Sequence, residues 1–118
     1  MTEPKVTAEK FNKLVEVMKR LRAPGGCPWD REQTYLSLRR YIIEEAYELI
    51  EAIENDDSAN MCEECGDLML QTVFVSCLAE EQGRFDIADV LAHLTEKLIR
   101  RHPHVFGDVT VKNSEEVL

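Results

Sequence analysis

A chain of 118 residues has room for one substantial core, and 44% hydrophobic against 31% charged residues is the balance of a folded domain. Its formal charge of −9 excludes duplex DNA and an anionic membrane surface as natural partners, because both select Lys and Arg. A nucleotide remains admissible, provided divalent cations stand between protein carboxylates and phosphates. Four cysteines, with no signal peptide and no apolar run long enough to cross a bilayer, predict a reduced, cytoplasmic protein.

Of five glycines and four prolines, six gather at Ala23–Pro28 and around Pro103–Gly107, leaving long stretches between them. That distribution predicts an all-α fold, an antiparallel bundle of about four helices. The first helix runs from about Thr7 to Arg22, with Phe11, Leu14, Val15, Met18 and Leu21 at helical spacing. Ala23–Asp30 breaks it, since two prolines and two glycines cannot continue a helix. Trp29, the one tryptophan, lies in this break. A loop-anchoring core role is favoured for it over stacking on a nucleobase.

The second helix spans about Thr34 to Asn55, with a core stripe of Ile42, Ile43, Ala46, Leu49, Ile50 and Ile53. Asp57 or Ser58 caps the third, which extends to about Gln82 before Gly83 stops it. The fourth opens at Asp86 and ends before Pro103, carrying Ile87, Val90, Leu91, Leu94 and Leu98 on one face. Three of the four cysteines fall in helices and read as small core residues. His102 and His104 read as helix-terminus and loop-packing residues. The whole chain, 1–118, is one predicted domain with its core at about 8–108 and a polar, loosely held tail at 109–118. So many apolar faces on four short helices predict at least a homodimer, with Val73, Phe74 and Leu78 as candidate contact residues.

The third helix carries the chemistry. Leu68, Met69, Leu70, Val73, Phe74, Val75 and Leu78 surround most of its circumference, which marks it as buried. Yet Glu64, Asp67 and Gln71 fall on one line along it, at i, i+3 and i+7. Buried carboxylates are costly unless cations or a wet cavity serve them. On the second helix, Glu45 and Glu48 are i, i+3 neighbours, whereas Glu51 and Glu54 read as an ordinary solvated face. If the two helices pack antiparallel, Glu45/Glu48 and Glu64/Asp67 face each other. Four converging hard oxygen donors without a histidine suit Mg²⁺ or Mn²⁺.

Lys97 and Arg101 are i, i+4 neighbours on the fourth helix, and an Arg fork suits phosphate oxygens. Taken alone, they are the usual basic residues of a last helical turn. Rival chemistries fit less well. Cys62-Glu-Glu-Cys65 lies mid-helix with no second pair for zinc, and none of His93, His102 or His104 follows a Glu by three residues, as a di-iron site requires. A third rival is a non-catalytic helical domain whose acidic residues serve solubility or sense a nucleotide; the apolar setting of Glu64 and Asp67 argues against solubility alone.

Glu44-Glu45-Ala-Tyr-Glu48 followed by Glu64-Cys-Gly-Asp67 resembles the EExxE…ExxD signature of the MazG nucleotide pyrophosphohydrolases, a branch of the all-α NTP pyrophosphatases. Gly26-Cys-Pro-Trp-Asp30 with Gln33-Thr34, Gly66-Asp-Leu68 with Gln71, and the stretch from Lys97 through His102-Pro-His-Val-Phe-Gly107 agree as well. The resemblance covers roughly residues 8 to 108 in order and spacing. It implies a helical fold that dimerises to complete its bundle, and a nucleoside triphosphate substrate cut between the α and β phosphates to give monophosphate and pyrophosphate. Glu45, Glu48, Glu64 and Asp67 match the Mg²⁺ ligands, and Glu44 the less strictly ligating first carboxylate. Lys97 and Arg101 match positions that contact the triphosphate. Either Glu44 or Glu45 accepts the proton of the attacking water. Family chains usually continue beyond Ser114–Val117, and many carry two copies of the domain. A catalytically silent copy that binds nucleotide and dimerises is therefore the alternative reading.

Overall fold

The computed structural model describes residues 2–117, which form helices and connections with no strand among them. The helices are α1 (Pro4–Arg22), α2 (Pro28–Glu32), α3 (Tyr35–Glu54), α4 (Ser58–Glu81), α5 (Ile87–Arg101) and α6 (Pro103–Phe106), and a short 3-10 turn follows at Ser114–Val117. The four long helices are the predicted ones. The two short ones are new, and each starts on a proline, whose fixed φ and missing N–H suit a first helical position. A proline that ends one helix here begins the next.

Side-chain chemistry sets the boundaries. Thr34 and Ser37 form a reciprocal capping box at the start of α3 (3.1 and 2.8 Å), as Asp86 and Asp89 do for α5 (2.9 and 3.0 Å). Asp57 caps α4 by accepting from the Asn60 N–H. At its far end Gly83 takes φ 69°, and the Gly83 and Arg84 N–H groups close on the Glu80 and Ala79 carbonyls. Gly26 is required for a different reason: a Cβ there would collide with the Leu21 and Arg20 carbonyl oxygens at the end of α1.

Helix α4 is central, packing against α3 along its length and against α1 and α5. The core joins Met18 of α1, Leu38 of α3, and Val73, Phe74, Cys77 and Leu78 of α4. Arg22 fastens the outside of this core. Its guanidinium donates to Glu81 twice (3.0 and 2.7 Å) and to the Asp30 and Gln33 carbonyls (2.7 and 3.3 Å), and it lies over the Phe74 ring. One residue thereby ties α1, α2, the start of α3 and α4 together.

Several expectations need correction. Val73, Phe74 and Leu78 are buried inside the chain and cannot serve a dimer contact. The residues of α3 that turn toward α4 are Leu38, Tyr41, Glu45, Glu48 and Ala52, so Ile43 and Ile50 fall on the opposite side and are exposed, as are Ile42 and Ile53 on the flank. Leu91, Leu94 and Leu98 of α5 are also exposed, because α5 meets the core mainly through Ile87 at its start. Cys62 and Cys65 are exposed and only Cys77 is buried. Trp29 is 49% exposed and anchors no core. The radius of gyration, 17.5 Å, exceeds the roughly 13.5 Å of a compact chain this long. No helix among the described residues is long and apolar enough to cross a membrane.

Candidate metal centre

The antiparallel pairing of α3 and α4 aligns residues whose numbers sum to about the same value. Leu38 therefore meets Phe74 in the core, and about two and three turns along, Glu45 and Glu48 meet Asp67 and Glu64. Ligating oxygens of all four carboxylates lie within 4.8 Å of one another. Among the described residues this is the one group of three or more His, Cys, Asp or Glu side chains close enough to hold an ion. Neither Cys62 nor Cys65 takes part in it, and no histidine does.

Such crowding has an electrostatic signature. The Glu64 carboxyl is pushed from its ordinary 4.5 to about 7, first by burial, then by its hydrogen bond with Glu48 and by the charges of Glu48, Asp67 and Glu45. Glu45 is also raised, by burial first and then by Glu48 and Asp67. Near neutral pH this group shares a proton because it cannot carry four full charges at close quarters.

The acceptors are also left without donors. Glu45 and Glu64 each bury one Oε2 that has no hydrogen-bond partner among the described residues, and Gln71 buries its Oε1 in the same condition. A buried acceptor without a donor forfeits its hydration with no return. A divalent cation relieves both faults, since it repays the desolvation of the oxygens and cancels their repulsion. All four donors are hard oxygens, and the set contains no nitrogen or sulfur. That combination fits Mg²⁺ or Mn²⁺ better than zinc or copper.

The other candidate residues lie apart from the four. Glu44 accepts from Arg40 Nε at 2.9 Å in an exposed i, i+4 pair, so its carboxylate turns away from α4. Lys97 and Arg101 are exposed on α5 and make no ion pair among the described residues, whereas Arg100 approaches Glu96 at 3.6 Å. Within the chain α5 packs chiefly on α4 and α6. Trp29, half exposed, meets the ring of the partly buried Tyr41 edge-on at 5.6 Å, one helical turn from Glu45. Tyr41 escaped the sequence reading because a lone tyrosine on an amphipathic helix carries no signal until its neighbour across the loop is known. Arg22 escaped it too, being indistinguishable from an ordinary basic residue in a last turn.

The sequence pattern of the MazG nucleotide pyrophosphohydrolase domain matches residues 33–106, a span that contains all four carboxylates and both α5 cations. The chain belongs to the MazG family. It is 58% identical over 98 residues to the nucleoside triphosphate pyrophosphohydrolase/pyrophosphatase MazG of Thermotoga maritima, covering 83% of this chain and 38% of that protein. It is 47% identical over 110 residues to the nucleoside triphosphate pyrophosphohydrolase of Escherichia coli, covering 92% and 42%. The uncharacterized protein YabN of Bacillus subtilis is 46% identical over 116 residues, covering 98% and 24%. The chain thus spans less than half the length of each of these relatives.

Proposed function

We propose that this chain hydrolyses nucleoside triphosphates to nucleoside monophosphate and pyrophosphate with Mg²⁺ held by Glu45, Glu48, Glu64 and Asp67. The observation that carries the reading is the convergence of four carboxylates within 4.8 Å, two of them with buried oxygens lacking any donor. The names of the Thermotoga and Escherichia relatives support the same activity. Mn²⁺ is the natural substitute, having the same preference for oxygen.

Bound there, the cation supplies charge neutralisation for the phosphates and lowers the pKa of water. The chain's own residues do the rest. The carboxylates fix where the triphosphate docks, because only through a cation do they attract an anion. Glu45 is better placed than Glu44 to accept the proton of the attacking water, since Glu44 is engaged with Arg40 on the exposed side. Lys97 and Arg101 take phosphate oxygens on the flank away from the carboxylates, where no cation offsets the negative charge. Trp29, exposed and braced by Tyr41, offers a face to the base.

We further infer a homodimer. The exposed stripe Leu36, Ile43, Tyr47 and Ile50 runs along the side of α3 remote from α4, and Leu91, Leu94, Leu98 and Ile99 leave a second apolar surface on α5. A second copy covering these faces supplies the core that one chain lacks. The unit is a single MazG-type domain over about residues 8–108. Its compartment is the cytoplasm, where nucleotides are abundant and its four free thiols stay reduced.

The test is product analysis. Incubated with Mg²⁺ and a panel of ribo- and deoxyribonucleoside triphosphates, the chain is expected to yield monophosphate and pyrophosphate in equal amounts. Diphosphate and orthophosphate would mean cleavage at the wrong anhydride. Tight nucleotide binding without any product would identify a catalytically silent copy.

A further inference from the structure

Gln71 lies where the carboxylate line of α4 gives way to the hydrophobic core. Along that line the helix presents Glu64, Asp67, Gln71, Phe74 and Leu78 in order, each about one turn from the last. Gln71 is 7% exposed, and its Oε1 is buried without a hydrogen-bond partner. It is among the few buried polar side chains of the described residues; Ser76, the other, is satisfied by the Thr72 carbonyl at 2.7 Å. A leucine or methionine at 71 would extend the core of Phe74 and Leu78 and strand no acceptor. The fold has no use for an amide there.

Three buried acceptors on adjoining turns, Glu45 Oε2, Glu64 Oε2 and Gln71 Oε1, all lack donors. Ionised carboxylates and an amide oxygen cannot satisfy one another, and no described residue donates to these three atoms, so the fitting partner is a cation or a donor from outside the chain. A cation serves the carboxylates directly. Mg²⁺ gives up its hydration reluctantly and brings waters with it, and each such water is a strong donor. A neutral amide oxygen suits a water better than it suits the ion, and it receives that hydrogen bond without adding charge to an already crowded group.

We propose that Gln71 is a positioning residue for the carboxylate centre: its Oε1 accepts a hydrogen bond from a water brought in with the cation and fixes that water beside Glu45. The proposal rests on the reading of the four carboxylates as a cation site. Polar groups that orient a metal centre from behind its direct ligands typically contribute about 10- to 100-fold in affinity or activity.

The experiment compares wild type, Gln71→Leu and Gln71→Met, using Mg²⁺ titration calorimetry and the water-proton relaxation of bound Mn²⁺. Both variants are expected to melt in EDTA at or above the wild-type temperature, because an unpaired buried acceptor has been removed. Both should bind Mg²⁺ about tenfold more weakly and show a reduced relaxation enhancement of bound Mn²⁺. A purely structural glutamine would alter melting and leave the ion measurements alone. Wild-type affinity and relaxation in either folded variant would overturn the proposal while leaving the cation site intact. Failure of the wild type itself to bind either ion would overturn both. If Gln71→Leu does not fold, Gln71→Met decides; if neither folds, Gln71 is structural and the proposal is wrong.

Discussion

Binding of Mg²⁺ at the four carboxylates is expected to release a proton, in an amount set mainly by Glu64. With its carboxyl raised to about 7, Glu64 stays mostly protonated below neutral pH in the metal-free protein, hydrogen-bonded to Glu48. A cation requires the carboxylate, so the proton must leave. With a pKa of about 7, Glu64 alone should release about 0.9 proton per ion at pH 6, about 0.5 at pH 7 and about 0.1 at pH 8, and Glu45, whose carboxyl is also raised, adds to this on the acid side. Calorimetric titrations in two buffers of different ionisation enthalpy measure that number directly. The same group sets the sign of the stability profile. A carboxyl raised on folding binds its proton more tightly in the native state, so metal-free stability falls as pH rises from about 4.5 to about 7 and then levels off. Saturating Mg²⁺ should abolish this decline. Glu64→Gln should remove most of the proton release and of the pH slope together and weaken the ion. Binding of Mg²⁺ at pH 6 with no proton released would refute the reasoning, since Glu64 would then be ionised already and the crowding of the four carboxylates misjudged.

The remaining expectations concern the frame and the substrate. Arg22→Ala should cost about 2–3 kcal/mol in urea denaturation, below the roughly 3–5 of a fully buried pair because Glu81 is partly in water; a loss under about 1 kcal/mol would deny Arg22 its role in tying α1 and α2 to α4. Arg101→Ala should weaken triphosphate binding about tenfold or more and leave Mg²⁺ stabilisation of the free protein unchanged, while Arg100→Ala should do much less; the reverse order would place the wrong edge of α5 at the phosphates. Ile50→Asp should convert a dimer into monomers in sedimentation velocity at micromolar concentration, and an unaltered sedimentation coefficient would exclude the far side of α3 from the interface.

Much of this fold is written in local chemistry. The ends of α3, α4 and α5 follow from Thr34, Asp57, Gly83 and Asp86, residues whose side chains or backbone freedom complete helix termini whatever the tertiary context. The carboxylate centre was legible because two acids interrupt an otherwise apolar helix, and burial of charge is rare enough to be informative. Less legible was the direction in which each helix faces. Helix α3 has two apolar sides, and Ile43 and Ile50 lie on the one turned away from α4, while Leu38 and Ala52 face the core. Periodicity reports that a helix has an apolar face, not which neighbour covers it. The loop 23–30 misled for a related reason. A tryptophan usually seeks burial, but Gly26 brings the chain so close to α1 that Trp29 emerges at the surface against Tyr41. Glu44, adjacent in sequence to Glu45, points elsewhere because one residue is about 100° of helix.

The central claim is that the four carboxylates hold the cation that makes this chain a pyrophosphohydrolase. Pyrophosphate release from a nucleoside triphosphate, measured across an Mg²⁺ titration for wild type and for Asp67→Asn with matching circular dichroism, tests it most directly. The account predicts release by the wild type that rises and saturates with Mg²⁺, stops on chelation, and is absent from Asp67→Asn. Release that is indifferent to the cation, or that survives in Asp67→Asn at the wild-type rate, would contradict it.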